Sequence, residues 1–421
     1  MQYKKSILKN GIRLIIVPMT GNPTATISVT ANVGALYESK ENNGISHFLE
    51  HLHFKGTKNR SARDLTLELD ALGAGYNAFT NYEITCYYIK SGKKYFDRIL
   101  DVISDVYQNT TIPEEELDKE RGVILEEINM YQDNNKARAH KLFRSVLYED
   151  QPAGNPVLGN KGNVKKFSRK DFLNFKKKFY NGAATTIVVS GDFKHSEIKK
   201  NIEKKFANLP KGKFIKPLKT REFQKTPAIK IENKKTDQTH IVLGFKTFDT
   251  YNKDIKTLAL LRGVLSAGMS SRLFSKMREE LGICYYCYAS NYHSFDIGHI
   301  GIYSGVGNRR ASEALEEIIK ILRDLKEHGV TKKELDKVKN NIIGSMSMNL
   351  ETSEDYADFY VGQEVMKEEI ETPEQIIRKI KSVTPEDVQK MAKKIFITEN
   401  LNLAIVGPHR DERKFKKILK V

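Results

Sequence analysis

The chain has 421 residues, a formal net charge of +17, 39% hydrophobic and 29% charged residues, a balance that excludes a disordered chain and a length that one hydrophobic core rarely organises, so two or more domains are expected. No apolar run approaches the ~18–20 residues that span a bilayer, Lys9, Asn10 and Arg13 interrupt what could have been a signal-peptide core, and three cysteines are too few for a disulfide-stapled secreted fold, so a cytoplasmic protein is expected. The lysines are scattered along the chain with no nucleic-acid motif, so the positive charge reads as solvated surface, and neither nucleic acid nor membrane is an expected partner.

In chain order, Ile12 to Val17 reads as a strand, and so does T-A-T-I-S-V-T-A-N-V (24–33). A helix is expected from Glu41 to about Lys55, with turn or cap character at Asn43 and Gly44 and an apolar stripe of Ile45, Phe48, Leu49 and Leu52. It carries H-F-L-E-H-L-H-F (47–54). At ~100° per residue, His47 and His51 lie within roughly 40° of each other and Glu50 about 60° to the other side of His47, so the three share one arc. Two imidazoles at i, i+4 can chelate one zinc ion, and a carboxylate beside them can deprotonate a water. His53 lies roughly 120° from His47, beyond Glu50, and is left out. The competing reading is a buried helix with incidental histidines. Burying so many ionisable groups is costly unless something pairs them, which favours the metal.

A catalytic zinc takes a third protein ligand. The segment L-D-K-E-R-G-V-I-L-E-E-I-N-M-Y (117–131) reads as a helix. On it Glu120 and Glu127 point within about 20° of each other, flanked by Val123, Ile124, Ile128 and Tyr131, and Glu126 points roughly 120° away from Glu120. A glutamate on a buried face needs a partner, so Glu127 is the expected ligand and Glu120 an auxiliary carboxylate. The alternative is that both pair with buried arginine or lysine.

An internal repeat organises the rest. I-L-D-V-I-S-D-V-Y-Q-N-T-T-I-P-E-E-E-L-D-K-E (99–120) matches I-I-K-I-L-R-D-L-K-E-H-G-V-T-K-K-E-L-D-K-V (318–338), each two helices with E-L-D-K opening the second. D-F-L-N-F-K-K-K-F (171–179) runs into a strand ending in glycine, and so does D-V-Q-K-M-A-K-K-I (387–395). Two similar α+β domains follow, 1–209 and 227–421, joined by a Pro-, Gly- and Lys-containing linker at 210–226. Each is expected to be a mainly antiparallel sheet covered by helices on one face. Cys284 and Cys287 form a C-x-x-C in a strand, where residues three apart point to opposite faces, so a shared role is not expected.

H-F-L-E-H is the inverted zincin pattern H-x-x-E-H. With E-R-G-V-I-L-E-E-I some seventy residues on, the whole chain resembles the pitrilysin/insulinase metallopeptidase family, including its short bacterial members and the mitochondrial processing peptidase β-subunit. The resemblance implies a zinc metalloendopeptidase with one zinc per chain, held at His47, His51 and Glu127, with Glu50 as general base and Glu120 supporting activity. G-Y-N-A-F-T (75–80) is similar to the family's N-A-x-T edge strand, implying that Asn77, Ala78 and Phe79 line an extended peptide substrate. S-S-R-L-F-S-K-M-R-E-E-L-G-I-C-Y (270–285) is similar to its Arg/Tyr segment, implying substrate contacts from Arg278 and from Tyr285 or its neighbour Tyr286. Where Glu120 and Glu127 have counterparts in the second half, Val338 and Ser345 stand instead. One half is therefore expected to be catalytic and the other to have lost its metal, the two domains facing each other across a chamber. Short relatives imply a homodimer or pairing with a related chain. The competing function is a non-catalytic partner subunit. His53 departs from the apolar residue usual in the family.

Overall fold

Alternation along T-A-T-I-S-V-T-A sends Ala25, Ile27, Val29 and Ala31 to one side of the strand and Thr24, Thr26, Ser28 and Thr30 to the other. The computed structural model describes residues 2–366 and 369–421, and in it both sides of this strand are buried. It belongs to a six-stranded sheet of order β1-β2-β6-β3-β5-β4. The strands are β1 (Lys4–Ile7), β2 (Arg13–Pro18), β3 (Thr24–Ala31), β4 (Gly75–Thr80), β5 (Thr85–Gly92) and β6 (Thr185–Gly191). Only β2 and β6 run parallel in it.

A second sheet has the order β7-β11-β8-β10-β9, with β7 (Ala228–Asn233), β8 (Gln238–Thr247), β9 (Cys284–His293), β10 (Gly298–Gly307) and β11 (Leu401–Gly407). Its single parallel pair is β7 with β11. The repeated helices are Phe96–Asn109 and Glu114–Asp133 in one half, and Ala311–Glu327 and Lys332–Met348 in the other. The helices before β6 and β11 both open with a capping box, Ser168 with Asp171 and Thr384 with Asp387.

Two compact units hold these sheets, and neither follows chain order. The first draws on the described parts of Met1–Asn129, Asn155–Leu218 and Asn349–Thr372, the second on Met130–Gly154, Lys219–Met348 and Pro373–Val421. Helix Ser353–Met366 thus packs in the first unit. It lies on the hydroxyl-bearing side of the first sheet, where the Ser353 hydroxyl is 2.8 Å from that of Thr26 and 3.0 Å from that of Thr24. Helix Asn135–Tyr148 packs in the second unit, where the His140 ring stacks on Tyr303 of β10 with centroids 4.3 Å apart. Each sheet is therefore covered on both faces rather than one, because alternation leaves the second face only weakly polar and still in need of burial.

Residues 210–226 hold no helix or strand. In β9 the register against β10 slips: Tyr286 faces Gly305 while Cys284 faces Val306, so Tyr285 is the extra residue of a bulge. That bulge corrects the expectation for the C-x-x-C. Cys284 and Cys287 sit in the same buried cluster, on one face of the sheet.

Candidate metal centre

The H-x-x-E-H helix spans Ile45–His53 and starts four residues later than expected. Gly44 sits at φ +100°, a left-handed conformation suited to glycine, and breaks the helical run ahead of it. A Cβ added at Gly44 would lie 2.7 Å from the Cα of Gly159, so only glycine fits this contact. The apolar stripe then anchors the helix: Phe48, Leu49 and Leu52 are fully buried, and the Phe48 ring meets Phe172 edge-on at 4.9 Å. Truncating such a phenylalanine costs about 3–5 kcal/mol, so the helix is held firmly under its polar face.

That face carries His47, Glu50 and His51. Across from it, helix Glu114–Asp133 brings Glu120 and Glu127. His47, His51 and Glu127 offer ligand atoms all within 4.8 Å of one another. Glu127 Oε2 lies 3.6 Å from His47 Nε2 and 3.8 Å from His51 Nε2. A tetrahedral zinc with bonds of about 2.0–2.1 Å sets its ligand atoms roughly 3.3–3.4 Å apart, so the separations of Glu127 Oε2 from the two imidazole nitrogens suit the ion after a small inward shift. Burial, with the neighbouring His51, pushes the His47 pKa down to about 3, which keeps its lone pair free at neutral pH. Burial raises the Glu127 pKa.

Glu120 does not reach the cluster but holds it. Its Oε1 lies 2.7 Å from His51 Nδ1 and its Oε2 2.6 Å from Lys55 Nζ. Burial alone would raise its pKa, but these two bonds outweigh it and the net shift is downward. A carboxylate can only accept here, so Nδ1 carries the proton and Nε2 faces Glu127 as the lone pair. Burial lowers the His51 pKa, yet the bond to Glu120 and the charges of Glu50, Glu120 and Glu127 win, and the net shift is upward.

The Glu50 carboxylate is buried, and the Thr80 hydroxyl donates to its Oε2 at 2.6 Å. Its pKa is raised by burial, opposed by the Thr80 bond. Thr80 ends β4, which pairs with β5 alone at the edge of its sheet. Asn77 and Phe79 point outward from this strand, and Ala78 packs toward the core.

Several expectations need adjusting. Ile124 and Ile128 are buried beside the two glutamates, but Val123 and Tyr131 are exposed, so the carboxylates sit at the border of the buried face. His53, left out of the metal set, stands apart from it. It is fully enclosed, with Nδ1 2.8 Å from the Leu49 carbonyl and 2.9 Å from the Tyr87 hydroxyl, and its ring stacks on Tyr180. Arg278 and Tyr285 lie together in the second unit: Arg278 Nη1 donates to the carbonyls of Cys284 and Tyr285 at 2.9 and 3.0 Å, and the Tyr285 side chain at the bulge is 70% exposed. Thr80 and Lys55 were missed. Thr80 closes the N-A-x-T pattern, which was a usable signal, whereas Lys55 lies beyond the helix end and had none.

Two imidazoles, a carboxylate and an adjacent glutamate on an H-x-x-E-H helix define a zinc-peptidase type of site. Comparison with known proteins agrees. The family described as "Insulinase (Peptidase family M16)" matches residues 14–161, and "Peptidase M16 inactive domain" matches residues 166–342. An uncharacterized zinc protease of Bacillus subtilis, YmxG, is 35% identical over 411 residues, covering 96% of this chain and 98% of that protein. One from Rickettsia felis is 32% identical over 416 residues, covering 97% and 98%. The fold is similar to that of a protease from Helicobacter pylori, with TM-score 0.91 at 24% identity over 97% of this chain and 99% of that one. The chain belongs to the insulinase, or M16, peptidase family and is a zinc metalloprotease of it.

Proposed function

We propose that this protease is an endopeptidase for extended peptides or unfolded, presequence-like segments, with His47, His51 and Glu127 holding one zinc ion per chain and Glu50 as general base. The observation that carries the reading is the convergence of the three ligand atoms within 4.8 Å with Glu50, one residue before His51, tied by its Oε2 to the end of an edge strand. When bound, zinc supplies a Lewis acid for a peptide carbonyl and lowers the pKa of water. Thr80 fixes the Glu50 carboxylate in rotation, so Oε1 is the atom that takes a proton from the attacking water and passes it to the leaving amine. The upward shift from burial moves Glu50 toward the range in which one carboxyl can both accept and return a proton. Glu120 acts through His51, by holding its tautomer and ring.

The free side of β4 offers main-chain groups to which an extended peptide can add as a further strand, with Asn77, Ala78 and Phe79 along it. This mode tolerates varied side chains. Arg278, whose Nε and Nη2 remain for a peptide carbonyl, and the exposed Tyr285 are assigned to substrate on the strength of the family resemblance. We further propose a cytoplasmic protein that works as a homodimer or beside a related chain, a reading that rests on the sparse cysteines and on the same resemblance.

The test is Glu50→Gln. It should keep near-stoichiometric zinc and lose roughly 10²–10⁴-fold in peptide cleavage. Undiminished turnover would sink the assignment. A parent protein that carries no zinc and cleaves no peptide would favour the non-catalytic partner subunit.

A further inference from the structure

The zinc-site helix has an unusual start. Its N-cap, Gly44, has no side chain to accept from the first turn, although the leading N–H groups of a helix need acceptors. The acceptor comes from outside the helix. Glu38 is 1% exposed, and its Oε2 accepts from Gly44 N at 2.8 Å and from Asn43 Nδ2 at 2.9 Å, while its Oε1 accepts from Ser46 N at 2.9 Å. Three donors converge on the two oxygens. An acceptor-only carboxylate suits three N–H donors, although burial works the other way and pushes the pKa up against the hydrogen bonds from Gly44, Ser46 and Asn43.

This start matters to the metal. The N-terminus of a helix carries about half a positive charge, which favours anions and opposes cations within the first turn. His47 is the third residue of the helix, so a divalent ion bound there sits in that unfavourable field. A buried anion bonded to the N–H of the residue just before His47 cancels it. The same bonds fix the position of the first turn, and hence of the His47 ring, against a packing contact that has no slack at Gly44 and Gly159.

We propose that Glu38 is a positioning residue for the zinc site: as a buried carboxylate cap on the Ile45–His53 helix it makes the first turn tolerant of a dication and sets the His47 ligand. The proposal rests on the assignment of His47, His51 and Glu127 as ligands. Glu38→Gln is the sharpest variant, because one amide oxygen cannot serve donors on both sides and the amide nitrogen would face an N–H.

The experiment measures, on the full chain, zinc affinity by chelator competition, the visible absorption of the cobalt-loaded protein, and the denaturant stability of the metal-free protein. Glu38→Gln is expected to weaken zinc binding about 10–100-fold, the range for residues that orient metal ligands, and to change the cobalt spectrum. Glu38→Asp, which keeps the charge, should recover part of the affinity. Affinity and spectrum equal to the parent, with or without a loss of stability, would overturn the proposal and leave Glu38 as a fold residue only. If Glu38→Gln does not fold, Asn43→Ala removes one of the three donors and should weaken zinc binding severalfold; parental affinity in that variant overturns the proposal. His51→Ala run in parallel separates the two layers. If it keeps zinc, the ligand assignment fails; if it loses zinc while Glu38→Gln does not, only the role of Glu38 fails.

Discussion

Replacing Glu120 by glutamine tests how far a residue that does not touch the metal controls it. In the parent, Oε1 is 2.7 Å from His51 Nδ1 and Oε2 is 2.6 Å from Lys55 Nζ. Both neighbours are donors, so the carboxylate satisfies both. Glutamine has one oxygen. If it faces His51, the amide NH₂ meets the Lys55 ammonium, donor against donor. If it faces Lys55, the amide donates to His51 Nδ1, the ring proton moves to Nε2, and the lone pair aimed at Glu127 is lost. Either state lowers the population of the binding-competent tautomer. Loss of a carboxylate behind a metal-ligating histidine costs about 10–100-fold in affinity, or about 1.4–2.7 kcal/mol at 1.36 kcal/mol per tenfold. Zinc titration against a chromophoric chelator at neutral pH reads this directly. Lys55→Met, which keeps the carboxylate on His51, is the control and should lose less than about tenfold. A Glu120→Gln affinity within about twofold of the parent would refute the tautomer argument.

Two other outcomes follow from features away from the metal. Arg60 donates to Glu68, Asp105 and Asp101 at 2.8, 2.9 and 2.6 Å. Arg60 chiefly depresses the Glu68 pKa, while at Asp101 and Asp105 burial pushes upward but hydrogen bonds outweigh it, so all three lie below their unfolded values. Their stabilisation is therefore present above about pH 4 and lost as pH falls through the folded values. Arg60→Met should lose about 2 kcal/mol at neutral pH and approach the parent as pH falls through the acid range, measured by urea unfolding; parallel curves would refute it. A fragment spanning Met1–Leu209 lacks the helix Ser353–Met366, with its Ser353 bonds to β3 and the ion pair of Glu364 with Lys5 at 2.7 Å. It should bind a hydrophobic dye and melt without cooperativity, and a cooperative melt matching the full chain would show the helix to be dispensable.

Most of the convergent cluster was legible in the sequence. His47, Glu50 and His51 lie on one helix, where a period of 3.6 dictates which side chains share a face. Glu127 was reachable by the same arithmetic on a second helix. The repeat was also legible, because a shared α+β pattern leaves the same polar–apolar rhythm twice. The face of Val123 and Tyr131 was misjudged, since a helical wheel says which residues are neighbours and not how far the burial extends.

What the sequence determined by itself, then, is what lies within one element: the shared face of His47 and His51, Glu50 beside them, and the helices and strands that carry them. Only the tertiary structure decided that Glu127 meets the histidines, that Thr80 holds Glu50, that Glu38 caps the zinc-site helix, and that Lys55 pairs with Glu120. It also decided that a bulge at Tyr285 turns Cys284 and Cys287 to one face, and that helices 135–148 and 353–366 cover sheets outside their own halves. The physical reason is range. Backbone periodicity fixes directions over a few residues, whereas a meeting between residues dozens or hundreds of positions apart is set by which buried faces pack together, and no local pattern records that choice.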